Sequence, residues 1–164
     1  MDVHADKFLP RPTPESAPFW QGCKEHKLLL QHCSGCGTYQ FYPRLLCATC
    51  MSEDLEWREA SGRGKVETYT IVTRAVSDAY AADAPYVIAL ITLEEGPRMM
   101  SNVVGCDAQS VTCGMAVEVV FEAWSAEITM PKFRSVAGTF GPEDVVAAAM
   151  AQAFADADHL ADKI

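Results

Sequence analysis

Along the middle of the chain apolar residues recur with the two-residue period of strands, and the places where that period breaks divide the sequence into parts. Leu28-Leu29-Leu30-Gln31-His32 and Tyr39-Gln40-Phe41-Tyr42-Pro43 are short runs of strand formers, placed like the arms of a small ribbon. After Trp57 the stretch Ala60-Ser61-Gly62-Arg63-Gly64 reads as a hinge-like connection. Lys65 to Val76 then alternates as a strand. Tyr86 to Leu93 is almost continuously apolar, as a central strand is, and Glu94-Glu95-Gly96-Pro97 turns it into Arg98 to Val104. Gly114-Met115 opens Ala116 to Phe121, with Val117, Val119 and Phe121 on one face, and Ile128 to Val136 follows, interrupted by Pro131. These five strands predict a small closed barrel of the OB type.

The ends follow other rules. Pro10, Pro12, Pro14 and Pro18 mark an extended arm, after which Ser16 is placed to cap a helix running through Phe19, Trp20, Cys23 and Lys27. From Gly141-Pro142-Glu143-Asp144 the period becomes helical, and Val146, Met150, Ala153, Phe154, Ala157, Leu160 and Ile164 form one apolar stripe. The chain therefore reads as mainly β with terminal helices: an arm over 1–15, a helix and ribbon over 16–60, a barrel over 61–137 and a helix over 138–164.

Cysteines carry the sharpest chemistry. Cys33-Ser34-Gly35-Cys36 and Cys47-Ala48-Thr49-Cys50 are two Cys-x2-Cys pairs, the spacing of a four-thiolate tetrahedral metal site. Four unrelated core cysteines would not be so regularly paired. Four thiolates close the coordination shell, so the ion has no open position at which to activate water, and its role is to fold a segment too short to bury a core of its own. Zinc is the expected occupant; a rubredoxin-like site holds iron with similar pairs. Cys23, Cys106 and Cys113 are left over and are expected to be buried small hydrophobes of a reducing compartment.

Composition is ordinary for a globular chain, with 49% apolar and 21% charged residues among 164. Neither a secretory start nor an apolar run of membrane-spanning length is present in the sequence, which predicts a cytoplasmic location and no membrane partner. The formal charge of −9 is spread as −2 over residues 1–60, −3 over 61–137 and −4 over 138–164. No segment is basic, and the barrel aromatics lack a basic interleave, so a single-stranded nucleic-acid module is distinctly the second choice. The four histidines, His4, His26, His32 and His159, show no pairing with a nucleophile, so the chain is not expected to catalyse a reaction alone.

The order of parts resembles the zinc-ribbon plus OB-fold acyl-CoA-associated proteins over roughly residues 16–137. The likeness rests on Leu30-Gln31-His32-Cys33, Phe41-Tyr42-Pro43-Arg44, Ser61 to Val66, Tyr86-Val87-Ile88-Ala89-Leu90, Glu95-Gly96-Pro97-Arg98 and Gly114-Met115-Ala116-Val117. It implies a non-catalytic subunit of a thiolase-fold acyltransferase, thiolase or retro-aldolase, assembled as an α2β2-like hetero-oligomer and sharing an acyl-CoA site with its partner. A hot-dog-fold enoyl-CoA hydratase is the alternative partner. A CoA thioester would need cations for its phosphates, for which Arg98, Lys132 and Arg134 are the candidates, with solvated surface charges as the plain alternative. Phe19, Trp20, Phe41, Tyr42, Met150 and Phe154 are the candidate partner contacts, with packing on the chain's own domains as the competing reading.

Overall fold

The computed structural model describes residues 7–136. The expected C-terminal helix, with Met150 and Phe154, lies outside the described residues. A helix, α1 (Ala17–Lys24), leads into a three-stranded antiparallel sheet of order β2-β1-β3, formed by β1 (Leu29–Cys33), β2 (Tyr39–Gln40) and β3 (Leu55–Glu59). Five further strands, β4 (Arg63–Val72), β5 (Tyr86–Leu93), β6 (Arg98–Val104), β7 (Ala116–Ala123) and β8 (Thr129–Ser135), close into a barrel of order β4-β5-β6-β8-β7.

Two local expectations change. Ser16 stands at the N-cap, but its hydroxyl accepts from the Thr13 N–H at 2.9 Å instead of capping the helix. The helix also ends at Lys24, short of Lys27, because His26 turns left-handed at φ 60°. There His26 N–H bonds Cys23 C=O at 3.1 Å and Lys27 N–H bonds Gly22 C=O at 2.8 Å, the paired bonds of a Schellman stop. The His26 ring stacks on Phe121 of β7 with centroids 5.5 Å apart.

The barrel interior is filled by the inward residues of alternating strands, among them Val66, Val87, Ala89, Ile91, Leu93, Val103, Val117 and Phe133. Pro131 is tolerated because β8 has parted from β6 where it lies: the parallel β6–β8 seam pairs only Val103 with Phe133 and Val104 with Arg134. The Ser101 hydroxyl reaches across the gap to donate to Pro131 C=O at 2.8 Å.

The connection read as a hinge is instead a weld. Ala60 N–H donates to Leu28 C=O at 2.8 Å, Val119 N–H to Gly62 C=O at 2.7 Å, and Ser61 N–H to a Glu95 carboxylate oxygen at 2.6 Å. Gly62 has φ 73°, and a Cβ there would stand 2.5 Å from Val119 Cγ1. At Gly64 a Cβ would meet Thr92 O at 2.6 Å. Gly62 lets the connection close on β7 and Gly64 lets β4 close on β5, and neither is there for flexibility.

Candidate functional site: a four-cysteine centre and an apolar groove

The two cysteine pairs sit on matching turns. Gly37 N–H bonds Cys33 C=O at 2.8 Å in the first, and Met51 N–H bonds Cys47 C=O at 3.0 Å in the second. Each turn ends in a left-handed residue, Gly37 at φ 75° and Met51 at φ 63°. All four sulfurs lie within 4.8 Å of one another. Cys33 and Cys50 Sγ are 3.6 Å apart, as are Cys36 and Cys47 Sγ. A tetrahedral Zn²⁺ with bonds of about 2.3 Å needs sulfurs about 3.8 Å apart, so the cradle fits the ion.

Local donors divide the thiols. The backbone N–H groups of Cys50 and Thr49 bring the Cys47 thiol down to about 6. Cys50 is drawn down by the Ser52 N–H but pushed up further by Cys36 and Cys33 beside it, to about 12. Neighbouring thiols resist joint ionisation, and a bound dication is what lets all four become thiolates.

Two buried glutamines, Gln31 and Gln40, which the sequence offers only as members of strand runs, hold the second turn. Gln40 Nε2 donates to Gln31 Oε1 at 2.8 Å, and Gln40 Oε1 accepts from Ala48 N–H at 2.8 Å. Gln31 in turn takes the Arg44 N–H at 2.8 Å and donates to Arg44 C=O at 2.9 Å. The loop carrying Cys47 is thereby bonded to β1 and β2 through side chains instead of a ladder. Polar residues inside short strands were the available signal.

The remaining cysteines divide. Cys23 is fully buried, and desolvation lifts its thiol to about 12, as expected of an inert core residue. Cys106 and Cys113, expected to be buried, are exposed, because each sits in a turn beside a left-handed glycine, Gly105 or Gly114.

A groove of about 730 Å³ lies between the ribbon and the outer face of the barrel. Its floor comes from β5 and β6. Outward positions of an antiparallel barrel strand are commonly polar, yet β5 presents Tyr86, Ile88 and Leu90 outward, all half-buried, and β6 adds Met100, 59% exposed. This two-sided apolarity is why the strand reads as continuous. One wall is built by Trp20 of α1 with Phe41 and Tyr42 of the ribbon loop, a second by Tyr80 and Trp124, whose ring centroids are 6.4 Å apart.

That second wall is braced from the N-terminal side. Lys7, buried beneath it, binds Asp83 at 2.6 Å and lies 5.0 Å from the Trp124 ring centroid, while Lys132 lies 5.4 Å from the same ring. Of the aromatic pair on α1, Phe19 is 4% exposed and belongs to the core, so Trp20 is the member that offers surface.

The three candidate cations are not brought to one point. Arg98 is held by Glu67 at 3.0 Å, Lys132 by Glu122 at 2.6 Å and Arg134 by Glu118 at 2.6 Å. Arg98 begins β6 and Arg134 pairs with its end, roughly 20 Å away at about 3.3 Å per residue. Only Lys132 lines the groove.

Ribbon, barrel and cysteine cradle together define a zinc-ribbon plus OB-fold protein. The ribbon matches the family model for the ChsH2 rubredoxin-like zinc ribbon domain over residues 20–56, and the barrel that for the ChsH2 C-terminal OB-fold domain over 57–122. A DUF35 domain-containing scaffold protein of Methanocaldococcus jannaschii is 42% identical over 104 residues, covering 62% of this chain and 73% of that one. The chain belongs to this DUF35 family of scaffold proteins. It is also 33% identical over 128 residues to a "Probable enoyl-CoA hydratase alpha subunit" of Thermomonospora curvata, covering 76% of this chain but only 40% of that longer protein. Among solved structures, the chain titled Ltp2-ChsH2(DUF35) aldolase superposes with a TM-score of 0.72 at 31% identity, covering 79% of this chain and all of that one. No described helix is long and apolar enough to cross a membrane.

Proposed function

We propose that this chain is a non-catalytic subunit of a thiolase-superfamily complex, docking on the enzyme by its ribbon-side aromatic wall and helping to form a shared acyl-CoA site. The observation that carries the reading is the groove, an apolar surface whose rim residues Tyr42, Val76 and Met100 stay largely exposed in the chain alone. The four-cysteine centre, closed by thiolates, serves as a structural zinc site that fixes the Phe41–Tyr42 wall. Catalysis then belongs to the partner, consistent with His26 stacked on Phe121 and His32 bonded to Glu56, neither beside a nucleophile. The pairing of Arg98, Lys132 and Arg134 with glutamates argues against phosphate contacts by these three side chains, whether of nucleic acid or of CoA, and leaves the CoA phosphates to the partner.

The aldolase titled with a DUF35 component favours a thiolase-like partner of the retro-aldolase kind. The hydratase alpha-subunit relative favours the second reading, a hot-dog-fold hydratase as partner.

Co-expression with thiolase-fold and hydratase-fold proteins of the same host tests both. The expected result is co-purification with the thiolase-fold protein, and a Trp20→Ala chain that binds it about tenfold or more weakly with zinc content unchanged. An isolated chain that turns over acyl-CoA and gains nothing from either protein would overturn the proposal.

A further inference from the structure

We infer that the N-terminal arm is a strap on the connection between β4 and β5: Lys7 latches it, and the Tyr80 side of the groove stands only while that latch is closed. The latch acts on the wall whatever the groove receives, so it stands apart from the function proposed above.

The arm is built inside out. Of residues 7–14, Lys7 is the one that is buried, its side chain 5% exposed, while Phe8 beside it is 73% exposed. Apolar burial alone would seat Phe8 and leave the ammonium in water. The lysine is inside because its site suits a cation, with Asp83 at 2.6 Å, the Trp124 ring centroid at 5.0 Å and that of Tyr80 at 5.7 Å. Pro10, Pro12 and Pro14 stiffen the arm, and the Ser16 and Ala17 N–H groups bond Thr13 C=O at 3.0 and 2.8 Å, tying its base to α1. Little freedom is therefore lost when Lys7 is seated.

The connection has few ties of its own. It runs from Thr73 to Pro85, and none of its residues is buried. Its backbone hydrogen bonds outside the strand ladders, Tyr80 N–H to Ser77 C=O at 3.1 Å and Ala84 N–H to Ala81 C=O at 3.4 Å, stay within it. The Ser77 hydroxyl, at the start of the turn Asp78–Asp83, caps nothing and has no partner among the described residues. Among those residues the Lys7–Asp83 pair is the one side-chain hydrogen bond or ion pair that ties the connection to the rest of the chain. Long connections with few buried contacts sit at the low-stability end of a fold, so the order of this one depends on the arm. Tyr80 and Asp83, which line the groove, move with it. Two states follow: one latched, and one with Lys7 hydrated and Tyr80 released from Trp124. Anything that takes up the arm thus opens the groove from outside it.

Hydrogen exchange on the full-length chain tests the latch, read over residues 77–84 and over β5, with chymotrypsin cleavage after Tyr80 as a second readout. Lys7→Met keeps the side chain's reach and removes the ammonium. It is expected to speed exchange over 77–84 about tenfold or more and to hasten the cut after Tyr80, with β5 protection and zinc content unchanged, because it deletes a hydrogen bond between charged groups. Asp83→Asn is expected to act in the same direction, and the double variant to be no faster than the faster single, since both delete one pair. Arg11→Met, on the exposed part of the arm, is expected to change nothing. Equal exchange in the parent and Lys7→Met, no protection over 77–84 in the parent, or additive single effects would overturn the strap. So would loss of β5 protection, which would make Lys7 a support of the whole barrel, and so would an Arg11→Met chain as fast as Lys7→Met.

Discussion

Replacing Gln40 by leucine tests whether the buried amide lattice positions the metal cradle. Gln40 is 8% exposed, and leucine of similar volume deletes its bonds to Gln31 Oε1, to Leu46 C=O at 3.3 Å and from Ala48 N–H at 2.8 Å. The Ala48 N–H, one residue from Cys47, is left without its acceptor, and Leu46 C=O loses a donor. Each of the three lost bonds contributes about 0.5–1.5 kcal/mol net, so the loop is destabilised by roughly 2–4 kcal/mol. In a ribbon whose folding and metal binding share one free energy, that loss appears as weaker zinc, by roughly 30- to 1,000-fold at 1.4 kcal/mol per factor of ten. Competition with a chromophoric chelator reads the affinity directly, and circular dichroism reports whether the barrel persists. Gln21→Leu is the control, because Gln21 is exposed and bonds only Glu25 at 2.7 Å. Zinc held by Gln40→Leu within threefold of the parent would refute the positioning role.

Gly62→Ala is expected to cost about 2–4 kcal/mol in urea unfolding, combining left-handed strain with a contact at 2.5 Å from Val119, whereas a true hinge would tolerate it within about 0.5 kcal/mol. Gly37→Ala should cost about 1 kcal/mol by conformation alone, since no atom lies within 4 Å of a Cβ there, and Met51→Gly at the matching position should gain up to about 1 kcal/mol, both read as changes in melting temperature. Cys36→Ser is expected to lower zinc to well below one per chain and to abolish hydrogen-exchange protection of β1 and β2; full protection with no metal bound would sink the structural role.

Much of the architecture was legible because its signals are local. Two Cys-x2-Cys pairs name their own geometry, and the Glu94–Pro97 turn between two apolar runs gives the β5–β6 hairpin, in which Gly96 adopts φ 105°. The strand β3 escaped notice because Leu55 and Trp57 alternate with Glu56, Arg58 and Glu59, a pattern weak beside the strong barrel strands. What failed otherwise was non-local. Whether glycines at 62 and 64 bend or pack depends on Val119 and Thr92, far away in sequence. The burial of Gln31 and Gln40 depends on a loop that returns over them, and the dispersal of Arg98 and Arg134 follows from strand order. The groove itself was half visible, as apolarity on both faces of β5, but read as the mark of a central strand.

The barrel's seams are unequal. Along β4 and β5 pairing runs from Gly64 with Leu93 to Val72 with Tyr86, whereas β6 and β8 are stitched only at Val103–Phe133 and Val104–Arg134. Local opening follows the least-bonded path, so this gap is where the barrel breathes, and it runs along the groove floor at Ser101 and Pro131. The ribbon wall, by contrast, is pinned by four sulfurs and two buried amides. The groove thus joins a tied ribbon wall to a floor crossed by a loosely stitched seam, so strain along the floor is released between β6 and β8 before it reaches the cysteine cradle.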